Sequence, residues 1–457
     1  MIAVARKKEK GRVSFQHAEG ILVLGFLTVV LLGAGLLALP MASRSGRSIG
    51  FFNSLFTSTS AVCVTGLVCV DTGTTFSFFG QTVLLGLIQV GGLGFMVFAT
   101  MIMTILGRKI SIRGRMLIRE SMNGGTLSDL GSLTWLYLCL ALGIEFLGAG
   151  LLCIRFVPLF GWKHGLWMAV FHAVSAFCNA GFDLFGRFSS LTAFSGDPLV
   201  LLTVATLIIL GGLGFSVILE ILQNRQGFRN LSLHTRIVLL TTLTLLVVGT
   251  AFYWLVECGN PETLANCPEG EKALNAFFQS VTMRTAGFNS FDLSRLKDGS
   301  KLFSSLLMMV GASPASTGGG IKTTTLAALV LLMLSVVQGD SEVNVARRRL
   351  PDELTRRALA VAVLFLTMLM TGALIISLLE DGRFSLEDIL FEASSAMGTV
   401  GVSSIGTPHL RHSSLAMLLP MMFLGRVGPL TLAVAVAKRQ GRLKSPTKYP
   451  EERIMIG

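Results

Sequence analysis

Thr59-Ser-Ala-Val-Cys-Val-Thr-Gly-Leu67 decides how the rest of this chain is read. It follows a short apolar stretch, 51–60, and closes on a glycine, Gly66. Three other stretches do the same: 167–177 then Asn179-Ala180-Gly181, 272–283 then Thr285-Ala286-Gly287, and 386–396 then Thr399-Val400-Gly401. About ten helical residues reach ~15 Å, half of a bilayer's hydrocarbon core. A segment that enters, stops and turns back is a re-entrant loop, tolerated in a membrane where it lines a water-filled cavity. The four glycines are 115, 106 and 114 residues apart, so one unit of span, half-helix, glycine turn and span repeats along the chain.

The spans around these turns are predicted at 21–40, 82–106, 131–153, 199–222, 236–256, 302–337 (interrupted), 358–379 and 415–436. Eight spans make an all-α polytopic membrane protein of four pseudo-repeats, helix–pore-helix–filter–helix, around a central pore. The repeats are expected at 21–125, 126–230, 231–350 and 351–440, between an N-terminal tail 1–20 and a C-terminal tail 441–457. Composition agrees: 52% of the 457 residues are hydrophobic and 14% charged, where soluble domains carry about 25% charged residues. Gly91-Gly92-Leu93-Gly94-Phe95 recurs as Gly211-Gly212-Leu213-Gly214-Phe215, with Gly311, Gly425 and Gly428 as the expected counterparts in the later repeats.

The net charge of +12 raises the question of nucleic acid, but the basic residues lie in short clusters between apolar runs. Of the 38 Lys and Arg residues, 24 fall in the N-terminal tail, in alternate loops (108–119, 225–236, 347–357) and in the C-terminal tail. That is the positive-inside pattern; it places both termini in the cytoplasm of a multi-pass plasma-membrane protein and argues against a nucleic-acid partner. The first apolar run is long enough to span, so it is not read as a cleavable leader. Seven cysteines form no metal pattern; Cys258 and Cys267 share one polar loop and are either a disulfide or two thiols.

A cation sheds its water inside a membrane only where oxygens replace the hydration shell, and rings of backbone carbonyls do this without full charges. Such a ring needs backbone angles that glycine adopts without strain. Half-helix C-termini add about half a negative charge each, which favours cations.

These residues carry a resemblance. Residues 59–67, 176–182, 283–289 and 395–403 look like the filters of the Trk/Ktr/HKT potassium transporter superfamily, and 311–325 is similar to its third-repeat signature. Eight spans without an additional N-terminal pair most resemble the KtrB membrane subunits. The resemblance implies K+ uptake, with K+ held by Val64, Thr65, Gly66, Asn179, Ala180, Gly181, Thr285, Ala286, Gly287, Thr399, Val400 and Gly401. It implies no covalent cofactor, a homodimer, and control by a cytosolic KtrA-like ring that binds ATP or ADP, with Na+ as a candidate activator.

The stretch 311–320 interrupts a span with three consecutive glycines and a proline, which cannot make a stable helix interior. A kinked helix is the simpler reading; the resemblance implies a gate below the filter made by Gly311, Ser316, Thr317, Gly318, Gly319, Gly320 and Lys322, with Arg426 beside it. A nucleotide P-loop is excluded because Ile321, not glycine, precedes Lys322. Glu145 is expected to face protein, Arg284 to bond filter backbone, Glu392 to pair with Arg284 or shape the outer mouth, and His172 to be packed rather than to carry protons. The alternatives are a Na+-permeant or Na+/K+ cotransporting member and an alternating-access transporter, which would predict inverted repeats. No cluster of nucleophile, base and orienting group points to an enzyme.

Overall fold

The computed structural model describes residues 18–94, 130–224, 227–340, 342–346 and 348–430. The basic clusters at 6–12, 108–119 and 438–453, and the predicted ends of the second and eighth spans, lie outside them. The described chain is mostly helical. Its elements are α1 (Ala18–Leu37), α2 (Phe51–Cys63), α3 (Phe78–Leu93), α4 (Leu130–Phe160), α5 (Trp162–Phe177), α6 (Pro198–Leu213) and α7 (Phe215–Gln223). They continue with α8 (Leu233–Glu257), α9 (Glu269–Thr282), α10 (Asp298–Met309), α11 (Thr323–Gln338), α12 (Asp352–Glu380), α13 (Leu386–Gly398) and α14 (His412–Val427). A two-residue hairpin, Asn344–Val345 with Arg348–Arg349, joins α11 to α12.

Among the described residues, α8, α12 and Thr134–Phe160 of α4 are long and apolar enough to cross a membrane. Their outward faces are greasy, as with Phe146 at 79% and Leu255 at 83% exposure. Small residues let other helices approach closely. The Ser58 hydroxyl of α2 donates to Val30 O of α1 at 2.7 Å, against Gly33. The Ser280 hydroxyl of α9 repeats this on α8, donating to Leu246 O at 2.9 Å against Gly249.

Two buried carboxylates tie helix ends together. Glu257, at the end of α8, accepts from Lys297 N at the start of α10 (3.2 Å) and from Asn260 and Thr263 side chains (2.8 and 2.7 Å). Glu380, at the end of α12, accepts from Arg411 N at the start of α14 at 2.8 Å. Each places an anion at a helix N-terminus, where unpaired N–H groups favour it.

The span expected at 199–222 is not continuous. It breaks at Gly214 (φ +93°), and α6 and α7 diverge by 97°. A Cβ on Gly214 would lie 2.6 Å from Pro314 O, and Phe215 N donates to Ala315 O at 3.1 Å. The 311–320 loop thus occupies the bend and satisfies backbone that the break exposes. That loop is pinched at its base: Gly311 N donates to Ile321 O at 2.9 Å and Ile321 N to Met309 O at 3.1 Å.

Candidate functional site

Four short helices, α2, α5, α9 and α13, end in the same turn. The first turn residue is left-handed in each: Val64 (φ 55°), Asn179 (57°), Thr285 (70°) and Thr399 (54°). Two residues later comes a positive-φ glycine: Gly66 (91°), Gly181 (70°), Gly287 (85°) and Gly401 (95°). Left-handed backbone is a strained choice for β-branched Val64, Thr285 and Thr399.

The four turns close on one another. A Cβ on Gly66 would lie 2.6 Å from Ala180 O, one on Gly181 2.9 Å from Ala286 O, and one on Gly287 2.6 Å from Val400 O. A Cβ on Gly401 would overlap Thr65 O and return the cycle to its start. The residues preceding the glycines are fully buried, Val64, Thr65, Asn179, Ala180, Thr285, Ala286, Thr399 and Val400 all at 0% exposure. All twelve residues expected at the filter are therefore brought together in one ring of chain.

Hydroxyls on the short helices brace the turns. Ser60 Oγ accepts from Gly66 N and Ser395 Oγ from Gly401 N, both at 3.0 Å. Ser175 Oγ donates to Phe182 O at 2.8 Å and Thr282 Oγ1 to Phe288 O at 2.5 Å. Sequence reading missed these braces, although a serine stands six residues before three of the four glycines. Gly91, Gly211 and Gly425 of the following helices back onto Val62 O, Phe177 O and Met397 O, where a Cβ would not fit. Gly311, expected as the third-repeat counterpart, instead abuts Gly319 within the loop.

On one side of the ring a cavity of about 440 Å³ is lined by all four glycines and by Asp71, Asp183 and Asp292, with no Lys or Arg among the described residues of its wall. Burial, with the Asp71 carboxylate adding to it, raises the Asp183 carboxyl to about 7. These acids were also missed; each follows its glycine within five residues.

On the other side lies the 311–320 loop, directly against the turns. Gly319 N donates to Thr399 Oγ1 at 3.1 Å, and Thr317 Oγ1 donates to Phe177 O at 3.1 Å. Thr317 N and Ser313 N reach Gly211 O and Gly212 O at 3.2 and 2.9 Å. Within the loop, Ser316 Oγ donates to Ser313 O at 2.5 Å and Lys322 Nζ to Gly318 O at 2.7 Å. Gly320 is left-handed at φ 68°. Arg426 donates to Thr317 O and Gly91 O, and to Gly92 O at 3.3 Å. The eight residues expected at the gate thus converge, and Arg426 clips the loop to the end of α3.

The remaining expectations divide. Glu145 faces protein, accepting from Gln89 Nε2 at 3.0 and 3.2 Å. His172 is fully buried, held by Met168 O at 2.7 Å and accepting from Leu184 N at 3.3 Å among aromatic rings. Arg284 does not pair with Glu392: the Glu392 carboxylate accepts from Thr407 Oγ1 at 2.6 Å, and no ion pair joins the two among the described residues. The Arg284 Nε atom is buried without a hydrogen-bond partner, so the expected bond to filter backbone is also absent there. Cys258 and Cys267 are free thiols.

Residues 3–445 match the TrkH family, described as a cation transport protein. The chain is 40% identical to the Ktr system potassium uptake protein B of Bacillus subtilis (strain 168), over 96% of each chain. It is 39% identical to the Ktr system potassium uptake protein B of Vibrio alginolyticus, over 96% of this chain and 94% of that one. Identity to the potassium/sodium uptake protein NtpJ of Enterococcus hirae is 36%, over the whole of both. Its fold is similar to the crystal structure of the potassium transporter TrkH from Vibrio parahaemolyticus, with a TM-score of 0.72 and 16% identity over 94% of this chain and 86% of that one.

Proposed function

Because this chain belongs to the TrkH family of cation transport proteins, we propose that it is the membrane subunit of a K+ uptake system, conducting K+ through a pore of four repeats and eight spans. The family is one of transporters, not of enzymes. The observation that carries the reading is the closed cycle in which each filter glycine abuts the carbonyl oxygen before the next one. Carbonyls of Val64, Thr65, Asn179, Ala180, Thr285, Ala286, Thr399 and Val400, with those of the four glycines, replace the water of a K+ ion. The short-helix C-termini converge behind the turns and favour positive charge. The acidic vestibule concentrates cations outside, and a negative interior drives them in by ~2.3 kcal/mol per charge at 100 mV.

The repeats run 21–125, 126–230, 231–350 and 351–440, with both tails cytoplasmic. The loop 311–320, with Lys322 and Arg426, is the gate. It lies across the inner face of the ring, and Arg426 adds a fixed positive charge on the ion path. A homodimer docked on a KtrA-like nucleotide-binding ring would move this loop; the potassium uptake relatives are named as parts of a Ktr system. A second reading, Na+ permeation or Na+ activation, is favoured by the likeness to the potassium/sodium uptake protein.

Separate K+ and Na+ influx into proteoliposomes tests both readings. The wild type passes K+ in preference to Na+, and deleting 314–318 raises its basal influx. Equal permeability to the two ions would reject the first reading in favour of the second.

A further inference from the structure

The first turn residues of the four filters differ in a way that the carbonyl ring does not use. Asn179, Thr285 and Thr399 carry side-chain oxygens, while Val64 carries none. The loop covers two of the three, Thr399 and Thr285, and the third, Asn179, pairs with Thr285. Thr399 Oγ1 accepts from Gly319 N at 3.1 Å. Gly318 packs so closely on Thr285 that a Cβ would overlap its hydroxyl. Asn179 and Thr285 meet at 3.1 Å; with the amide turned so that its oxygen accepts from Thr285, its nitrogen reaches Ile208 O and Ala176 O at 3.2 and 3.1 Å. All three residues are fully buried.

Resting on the gate reading above, we propose that loop and filter form one coupled element, in which Thr399 loses its loop partner and Thr285 is uncovered. With the loop in place the Thr399 hydroxyl accepts from Gly319 N, and Gly318 covers the Thr285 hydroxyl, which pairs with Asn179. When the loop withdraws, Gly319 N leaves with it, and the oxygens of Thr399, Thr285 and Asn179 face the vacated space. Three neutral oxygens on one side of the ion path form an innermost site for a partly dehydrated monovalent cation. This site and the seated loop exclude each other. A cation that binds there favours the open loop, and by linkage a released loop strengthens cation binding.

Two glycine contacts make the idea specific. Neither Gly318 nor Gly319 is left-handed; they are glycines because Thr285 and Thr399 stand where a Cβ would go. Alanine at Gly319 meets Thr399 and Gly425 O, and is expected to push the loop off the turn without removing any filter oxygen. Valine at Thr399 removes the hydroxyl and keeps the shape. The first turn already holds a valine in the same backbone conformation (Val64, φ 55°; Thr399, φ 54°), so this variant is expected to fold.

The test is K+ and Na+ influx, measured separately, on the full-length protein in proteoliposomes. Gly319→Ala is expected to raise basal influx, preserve the K+/Na+ ratio and lower the half-saturating K+ concentration, on the order of fivefold, the lower end of linked-site effects. Thr399→Val is expected to raise influx too, but with the K+/Na+ ratio reduced by about fivefold, because its inner site lacks an oxygen. Thr399→Ser keeps the hydroxyl and is expected to restore the K+/Na+ ratio lost in Thr399→Val, whatever its effect on the rate. If Thr399→Val raises both ions by the same factor, its hydroxyl is only a latch and the inner site does not exist. If Gly319→Ala raises influx with an unchanged K+ half-saturation, loop and site are not linked. If deleting 314–318 leaves influx unchanged, the gate reading falls, and this proposal with it.

Discussion

A methyl group on Gly66 would sit 2.6 Å from the carbonyl oxygen of Ala180, a residue 114 positions further along the chain. The glycine is thus required twice, by its own φ of +91° and by the neighbouring turn that fills the space of a side chain. The same double requirement holds at Gly181, Gly287 and Gly401, so the ring closes only when all four lack a Cβ. The predictions below start from that closure.

The serine braces should matter to selectivity. Ser60→Ala leaves the buried N–H of Gly66, and Ser395→Ala the partly buried N–H of Gly401, without its acceptor. Leaving a buried donor unpaired costs about 1–3 kcal/mol. Each variant is expected to assemble with a lowered melting temperature and a reduced K+/Na+ influx ratio. A wild-type ratio in both would show that the carbonyl geometry does not depend on these hydroxyls.

Arg426 holds Thr317, Gly91 and Gly92 carbonyls through one planar fork. Lysine cannot reproduce that fork. Arg426→Gln and Arg426→Lys are both expected to raise basal K+ influx, with glutamine giving the larger rise because it also removes the charge. Influx equal to wild type in both would detach Arg426 from the gate.

On the proposed reading the vestibule acids attract cations through their field, so their effect should depend on salt. Asp71→Asn and Asp292→Asn are expected to lower influx severalfold at low K+ and low ionic strength, and hardly at all in ~1 M salt, where the Debye length is about 3 Å. The readout is initial influx against K+ concentration at two ionic strengths. An effect that persists undiminished at high salt would mean that these residues shape the loops rather than the field.

Glu257 accepts from four donors, including Ser300 Oγ at 2.5 Å and Lys297 N. Glu257→Ala strands those donors beside the start of α10, at a cost on the order of 3 kcal/mol. The expected result is a clear loss of thermal stability in detergent, with the K+/Na+ ratio of surviving protein unchanged. A ratio shift without a stability loss would give the residue a conduction role instead.

How much of this was legible depended on whether the signal was local. The glycine turns could be read because each carries its own start, stop and backbone demand within about fifteen residues of chain. Gly318 to Gly320 and Pro314 marked an interrupted span for the same reason. The break at Gly214 could not be read. The Gly211-Gly212-Leu213-Gly214-Phe215 run has the look of a packed helix, and it bends because a loop about 100 residues away enters beside it. Glu392 was a plausible partner for Arg284 on charge alone, yet Thr407 reaches it instead. The braces at Ser60 and Ser395 were overlooked because serine on a half-buried helix is ordinary until its six-residue offset from each glycine is counted.

The central claim is that the four-glycine ring selects the ion, and Gly66→Ser tests it most directly. A serine there is strained at φ +91° and presses on Ala180 O, whereas Gly143→Ala on the exposed face of α4, where a Cβ meets nothing within 4 Å, serves as the control. K+ and Na+ influx into proteoliposomes should show a much smaller K+/Na+ ratio for Gly66→Ser and a wild-type ratio for Gly143→Ala. A Gly66→Ser protein that folds, conducts and keeps the wild-type ratio would contradict the account.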